Sequence, residues 1–234
     1  MIIEFETIEP SARSRELGAP NERADWGCQP NERLIQLSAP VTPSAMLPTE
    51  IRITNPDWVH ETVDFTRPYP DDDARIRVAI AVAHENVVRG TGGPFGAAVF
   101  EADTGKLVGV GTNGVLRLNN SSAHAEIVAL VLAEARVGSF SLRANGEVRH
   151  ELFSSCEPCA MCLGATLWSG VSRLVFSAAR EDAARLGFDE GPVFAASYEY
   201  LEQRGVTIVR EQLRSEGAAV LDLYVDRGGQ IYNR

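Results

Sequence analysis

Ser155-Cys156-Glu157-Pro158-Cys159-Ala160-Met161-Cys162 is the stretch on which the fold turns. Before it runs Val148 to Ser154, rich enough in apolar residues to read as a strand. After it, Cys159 to about Trp168 reads as a helix, so the segment is a strand-to-helix junction. Cysteines at i and i+3 project from one helix face. Pro158 suits a first helical turn, where its missing N–H costs nothing. Thiolates at a helix N-terminus face the positive end of the dipole, which lowers their pKa and prepares them for a soft metal.

Working outward, the same alternation continues on both sides. Asp71-Asp72-Asp73 offers an N-cap and favourable first-turn charge. Ile76, Ala79, Ile80, Ala83 and Val87 then mark one face of a helix that Gly90 ends. Phe95 to Glu101 and Lys106 to Asn113 read as a hairpin around Asp103-Thr104-Gly105. A helix follows from about Ala123 to Val137, then strands at Arg173–Ser177 and Val206–Val209 and a helix near Glu216 to Arg227. This order predicts an α/β domain with helices covering a mixed sheet. Nine of the twelve prolines precede residue 71. Residues 1–70 therefore read as a proline-rich, irregular extension, with a short strand at Ile51-Arg52-Ile53 and an apolar patch at Trp58, Val59, Val63 and Phe65. Residues 71–234 read as the α/β domain.

The chain has 234 residues, a formal net charge of -10 and four cysteines. The charge argues against a nucleic-acid surface, which needs basic residues to displace counterions from phosphate. No stretch reaches the roughly 18 apolar residues of a membrane span. The N-terminus has neither the basic nor the apolar region of a secretory signal, so a cytoplasmic location is expected. Three cysteines within seven residues are poorly placed for a disulfide framework, and a reduced metal site is the better reading.

His124-Ala125-Glu126 supplies the complement. One imidazole added to Cys159 and Cys162 makes a three-ligand site, and tetrahedral zinc then keeps a fourth position for water, whose pKa it lowers to about 7. Glu126 is the candidate proton carrier. Because i and i+2 do not share a helix face, His124 and Glu126 must approach the site from different sides. Other readings of the same residues stand beside this one. His124 could be structural, and Cys-x-x-Cys could be a redox pair or half of a structural finger. A structural zinc site would want Cys156 as fourth ligand. The Cys156, Cys159, Cys162 run resembles an iron–sulfur pattern, but Thr166 stands where a fourth cysteine belongs.

With these motifs the chain resembles the cytidine deaminase-like superfamily, whose zinc members share His-x-Glu and Pro-Cys-x-x-Cys. It is most similar to the bacterial guanine deaminase family, including members acting on the triazine ammeline. The segments that carry this branch are Gly92-Gly93-Pro94-Phe95, Gly187-Phe188-Asp189-Glu190 and the terminal Ile231-Tyr232-Asn233. The resemblance implies a three-layer α/β/α fold with a mixed five-stranded sheet and a zinc ion held by His124, Cys159 and Cys162. It implies Glu126 as proton shuttle and Glu190 as a second carboxylate at the amine-bearing edge of the base. Asn113 would hydrogen-bond the base beside Ala125, Phe95 and Trp168 would line its faces, and Tyr232 would cap it. A homodimer exchanging C-terminal segments is implied too, with Gly228-Gly229 as the hinge. The expected reaction is guanine to xanthine plus ammonia. The competing readings are a guanosine or triazine deaminase, a tRNA adenosine deaminase, and a non-catalytic zinc-stabilised module.

Overall fold

A computed structural model describes residues 50–143 and 148–232. Cys28, Asn233 and the extension up to residue 49 lie outside the described residues. In chain order the elements are α1 (Val59–Thr62), α2 (Asp72–Val88), β1 (Gly96–Glu101), β2 (Leu107–Thr112), α3 (Val115–Leu118), α4 (Ala125–Val137) and β3 (His150–Cys156). Then follow α5 (Ala160–Ser169), β4 (Arg173–Ala178), α6 (Arg180–Ala184), α7 (Ala195–Gln203), β5 (Thr207–Val209) and α8 (Arg214–Asp226).

The five strands form one sheet in the order β2-β1-β3-β4-β5. The hairpin β1–β2 and the pair β1–β3 are antiparallel, whereas β3, β4 and β5 run parallel. Parallel neighbours need crossovers, and α5 carries the one from β3 to β4. Successive strand residues face opposite ways. Phe100 and Phe153 thus pack beneath α2 and α8 with Ile76 and Leu221, while Val99 and Leu152 pack beneath α4, α5 and α7 with Leu130, Leu163 and Leu201. The result is the three-layer α/β/α arrangement with a mixed five-stranded sheet.

Helix α2 starts where the charges predict, with the Asp71 carboxylate accepting a hydrogen bond from Ala74 N at 2.8 Å. The five residues of its expected stripe are all buried. Val78 and Val82 are buried as well, Val82 against Gly96 of β1, and a further layer of chain packs into the same core.

That layer is the segment before α2. Residues 50–70 pack in one compact unit with the residues that follow them. Trp58, Val59, Val63 and Tyr69 are buried in the core. Trp58 Nε1 donates to Thr91 Oγ1 at 3.2 Å, and Tyr69 N donates to Gly105 O at 2.8 Å. The Asn55 side chain donates to Val110 O at 2.7 Å and accepts from Thr112 N at 3.0 Å, along the open edge of β2. Ile51-Arg52-Ile53 forms no strand. A buried ion pair, Arg75–Glu151 at 2.7 Å, joins α2 to β3, and Arg173 on β4 reaches both Glu151 and Asp72.

Helix α4 lies directly on β2. A side chain at Gly111 would collide with the carbonyl of Ala125, so only glycine allows the approach that seats the N-terminus of α4 over the strand ends. No helix among the described residues is long and apolar enough to cross a membrane.

Candidate active site

The N-termini of α4 and α5 converge above the strand ends. His124 is the N-cap of α4, in extended conformation (φ -70°, ψ 153°), and Glu126 belongs to its first turn. An extended residue is free of the helical i, i+2 restriction, which is how both side chains reach one site. Cys159 likewise caps α5 in extended conformation (φ -67°, ψ 172°), with Cys162 in the first turn. The helix therefore starts at Ala160, and Pro158 precedes the cap instead of occupying the first turn. The first backbone donor of α5, Ala160 N, is satisfied by the carbonyl of Glu190 at 3.0 Å.

His124 Nδ1 lies 3.5 Å from Cys159 Sγ and 3.6 Å from Cys162 Sγ, and one ligand atom from each of the three residues lies within 4.8 Å of the others. Ligands about 2.0–2.3 Å from a tetrahedral zinc stand roughly 3.5–3.8 Å apart, so these side chains fit the ion with little movement. Hydrogen bonding from Cys162, opposed by burial and reinforced by His124, holds the Cys159 thiol down at about 4. The Cys162 thiol is pushed up in turn by the bond to Cys159 and by burial. Cys156 stands apart from this cluster. Its thiol points to Ala179 O at 3.9 Å and is pushed well up by burial, so it takes no part in the ligand set.

Two carboxylates flank the metal residues. Glu126 is buried, accepts a hydrogen bond from Ser154 Oγ at 3.2 Å, and is raised by burial and then by the charge on Cys159. Glu190 opens with His124, Cys159, Met161, Asp189 and Ser121 onto a cavity of about 330 Å³. Burial, the Cys159 charge and the Glu126 charge push its carboxyl up to about 8.

Asn113 is 1% exposed, and Val115 N donates to its Oδ1 at 3.3 Å. Phe95 meets Phe188 edge to face at 5.1 Å between centroids, and Phe188 meets Tyr232 at 5.4 Å. A side chain at Gly93 would strike the Tyr232 hydroxyl, which lies in the field of Glu190 and Glu126. Tyr232 thus folds into its own chain's site. Ala125 is fully buried beneath the ligand His124. Phe188 takes its place from contacts with Phe95 and Tyr232, and its aromatic character beside Asp189-Glu190 is the signal for it in the sequence. Trp168 is not brought to the site. It is 80% exposed and lines a groove with Tyr200 and Arg204. It lies at the far end of α5, about 13 Å along the axis from Cys159.

Residues 70–178 match the family described as the cytidine and deoxycytidylate deaminase zinc-binding region. Guanine deaminase of Bacillus subtilis is 34% identical over 131 residues, spanning 56% of this chain and 80% of that protein. A tRNA-specific adenosine deaminase of Buchnera aphidicola is 33% identical over 55% of this chain and 77% of its own length. The solved structure of guanine deaminase from Nitrosomonas europaea superposes with a TM-score of 0.72 at 38% identity, over 76% of this chain and 98% of that one. Likeness of this extent, with all three metal-site residues inside the matched region, is common descent: the chain belongs to the cytidine deaminase-like family of zinc-dependent aminohydrolases.

Proposed function

We propose that the protein deaminates a free purine base, guanine, to xanthine and ammonia. The observation that carries this reading is the Glu190 carboxylate, which shares the cavity with His124 and Cys159 and accepts no hydrogen bond among the described residues. Guanine presents N–H donors along its amine-bearing edge, which draw the half-buried Glu190 carboxyl toward its charged form, and a wrong base leaves that group unpaired. The likeness to two guanine deaminases supports the same substrate.

His124, Cys159 and Cys162 would hold zinc, which when bound supplies Lewis-acid activation of water at neutral pH. Glu126 takes a proton from the water that adds at C2, places it on N3, and passes the second proton to the departing amine. Ser154 holds the Glu126 oxygen in place. Asn113 Nδ2 donates to the base, while Phe95 and Phe188 limit its movement.

A homodimer is also proposed. Trp168 and Met161, both exposed on α5, offer an apolar face for a second copy. The tail after the left-handed Gly228 (φ 71°) is seated on its own chain here, and in the dimer it would cross to the site of the second copy. Consumption of a free base, with no nucleic-acid partner, suits a cytoplasmic enzyme. The likeness to a tRNA adenosine deaminase supports a second substrate reading, which the charge of -10 opposes.

The test is ammonia release by zinc-loaded protein over guanine, guanosine, adenine, cytosine, ammeline and tRNA. Guanine is expected to give the highest kcat/KM. Faster turnover of any other of these would replace it.

A further inference from the structure

Glu190 has no side-chain partner to orient it among the described residues, so its placement depends on its backbone. The segment between α6 and α7 that carries it has no helix or ladder of its own. What holds that segment is Glu157, a 9% exposed carboxylate two residues before the ligand Cys159. Its Oε2 accepts from Arg180 N at 3.0 Å, where the segment's preceding helix begins. Its Oε1 accepts from Tyr198 Oη at 2.5 Å, on the helix that follows. Arg180 Nη1 reaches across to Val193 O at 2.6 Å, closing the two ends on each other. The Arg210 guanidinium sits 4.0 Å over the Tyr198 ring and fixes it from outside. Between these ties, Glu190 O meets Ala160 N at 3.0 Å. Both oxygens of one buried carboxylate are thus spent on the two flanks of the loop that bears another.

We propose that Glu157 is a positioning residue which, through Arg180 and Tyr198, fixes the loop presenting the Glu190 carboxylate to the substrate. The cysteine pair and the substrate-selecting acid are thereby built on one framework, since Glu157 is joined to Cys159 through Pro158. This rests on the reading of Glu190 as the partner of the base.

The experiment is a double-mutant cycle of Tyr198→Phe and Glu190→Gln in zinc-loaded protein, joined to amide hydrogen exchange over residues 186–194. Tyr198→Phe should lower kcat/KM for guanine about 10-fold in the native background and have little effect once Glu190 is already Gln. Equal losses in both backgrounds overturn the positioning role and leave Glu190's role intact. If Glu190→Gln alone costs nothing, the substrate reading fails, and hydrogen exchange then decides the positioning role by itself. Exchange over 186–194 should quicken about 10-fold in Tyr198→Phe while β3 and α4 stay protected, and unchanged exchange overturns the proposal. Glu157→Gln and Glu157→Asp make the comparison without altering Tyr198. Gln keeps the reach to both partners and should keep the loop slow to exchange. Asp is one methylene shorter and should behave like Tyr198→Phe; identical behaviour of the two variants overturns the proposal.

Discussion

Asn113 Nδ2 and Tyr232 Oη share one condition: among the described residues they are the buried side-chain polar atoms left without a hydrogen-bond partner. An unsatisfied buried donor costs about 1–3 kcal/mol, which the fold tolerates here beside the Phe95–Phe188 aromatic pair. Burial holds the Tyr232 phenol well above its ordinary range, so it remains a donor. Donors left bare in this way are recovered when a ligand with acceptors arrives.

Tyr232→Phe should therefore leave the ligand-free protein equally stable or slightly more so. It should raise KM for guanine by about 5–30-fold, the value of one or two kcal/mol of hydrogen bonding. Calorimetry and steady-state kinetics on the same preparation separate the two effects. A lower Tm with unchanged KM would show that the hydroxyl serves the fold.

Glu126→Gln keeps the shape of the side chain and its contact with Ser154, and removes the proton carrier. Zinc content and Tm should be retained while kcat falls by at least about 10²-fold. Near-native turnover in a fully zinc-loaded variant would remove Glu126 from the chemistry.

Glu190→Gln leaves one acceptor and adds a donor facing the N–H groups of guanine. The expected loss in kcat/KM is about 10-fold or more. Competition among bases should narrow alongside it, which parallel assays with guanine and 2-aminopurine would measure. Selectivity equal to that of the native chain would count against this acid as the selecting group.

Acid stability follows from two aspartates. Hydrogen bonding to Arg173 holds Asp72 below its ordinary 3.8, and hydrogen bonding to Arg214 does the same for Asp182. With the folded pKa depressed, the unfolded chain binds more protons, so stability is fully present above about pH 4 and drains away as pH falls through the lower folded values. Tm should thus drop steeply below pH 4. Asp72→Asn should lower Tm at pH 7 and flatten that acid limb; limbs of equal steepness in the two proteins would contradict the assignment.

Much of the framework was legible because it is local. The α2 stripe from Ile76 to Val87 and the hairpin of β1 and β2 announce themselves by period, and the metal-site residues by spacing. What escaped depends on contacts distant in sequence. Trp58 and Val63 read as an apolar patch in a proline-rich stretch, and only Thr91 and the flank of α2 reveal them as core. The cap conformations of His124 and Cys159 follow from two helices ending at one place, which no single window contains. Trp168 follows Cys162 on the same helix, yet the length of α5 carries it away from the site. Phe188 gains its role only because Phe95 and Tyr232 lie against it.

The Asn55 amide has a consequence beyond packing. β2 is the outer strand of its side of the sheet, and an uncovered outer strand is a template on which another chain can add a strand. Val110 O and Thr112 N are the groups such an intruder would use, and the primary amide of Asn55, which offers both a donor and an acceptor, already occupies them. A single side chain thus imitates a strand one residue long. It ends the sheet at β2, and in doing so guards the protein against self-aggregation.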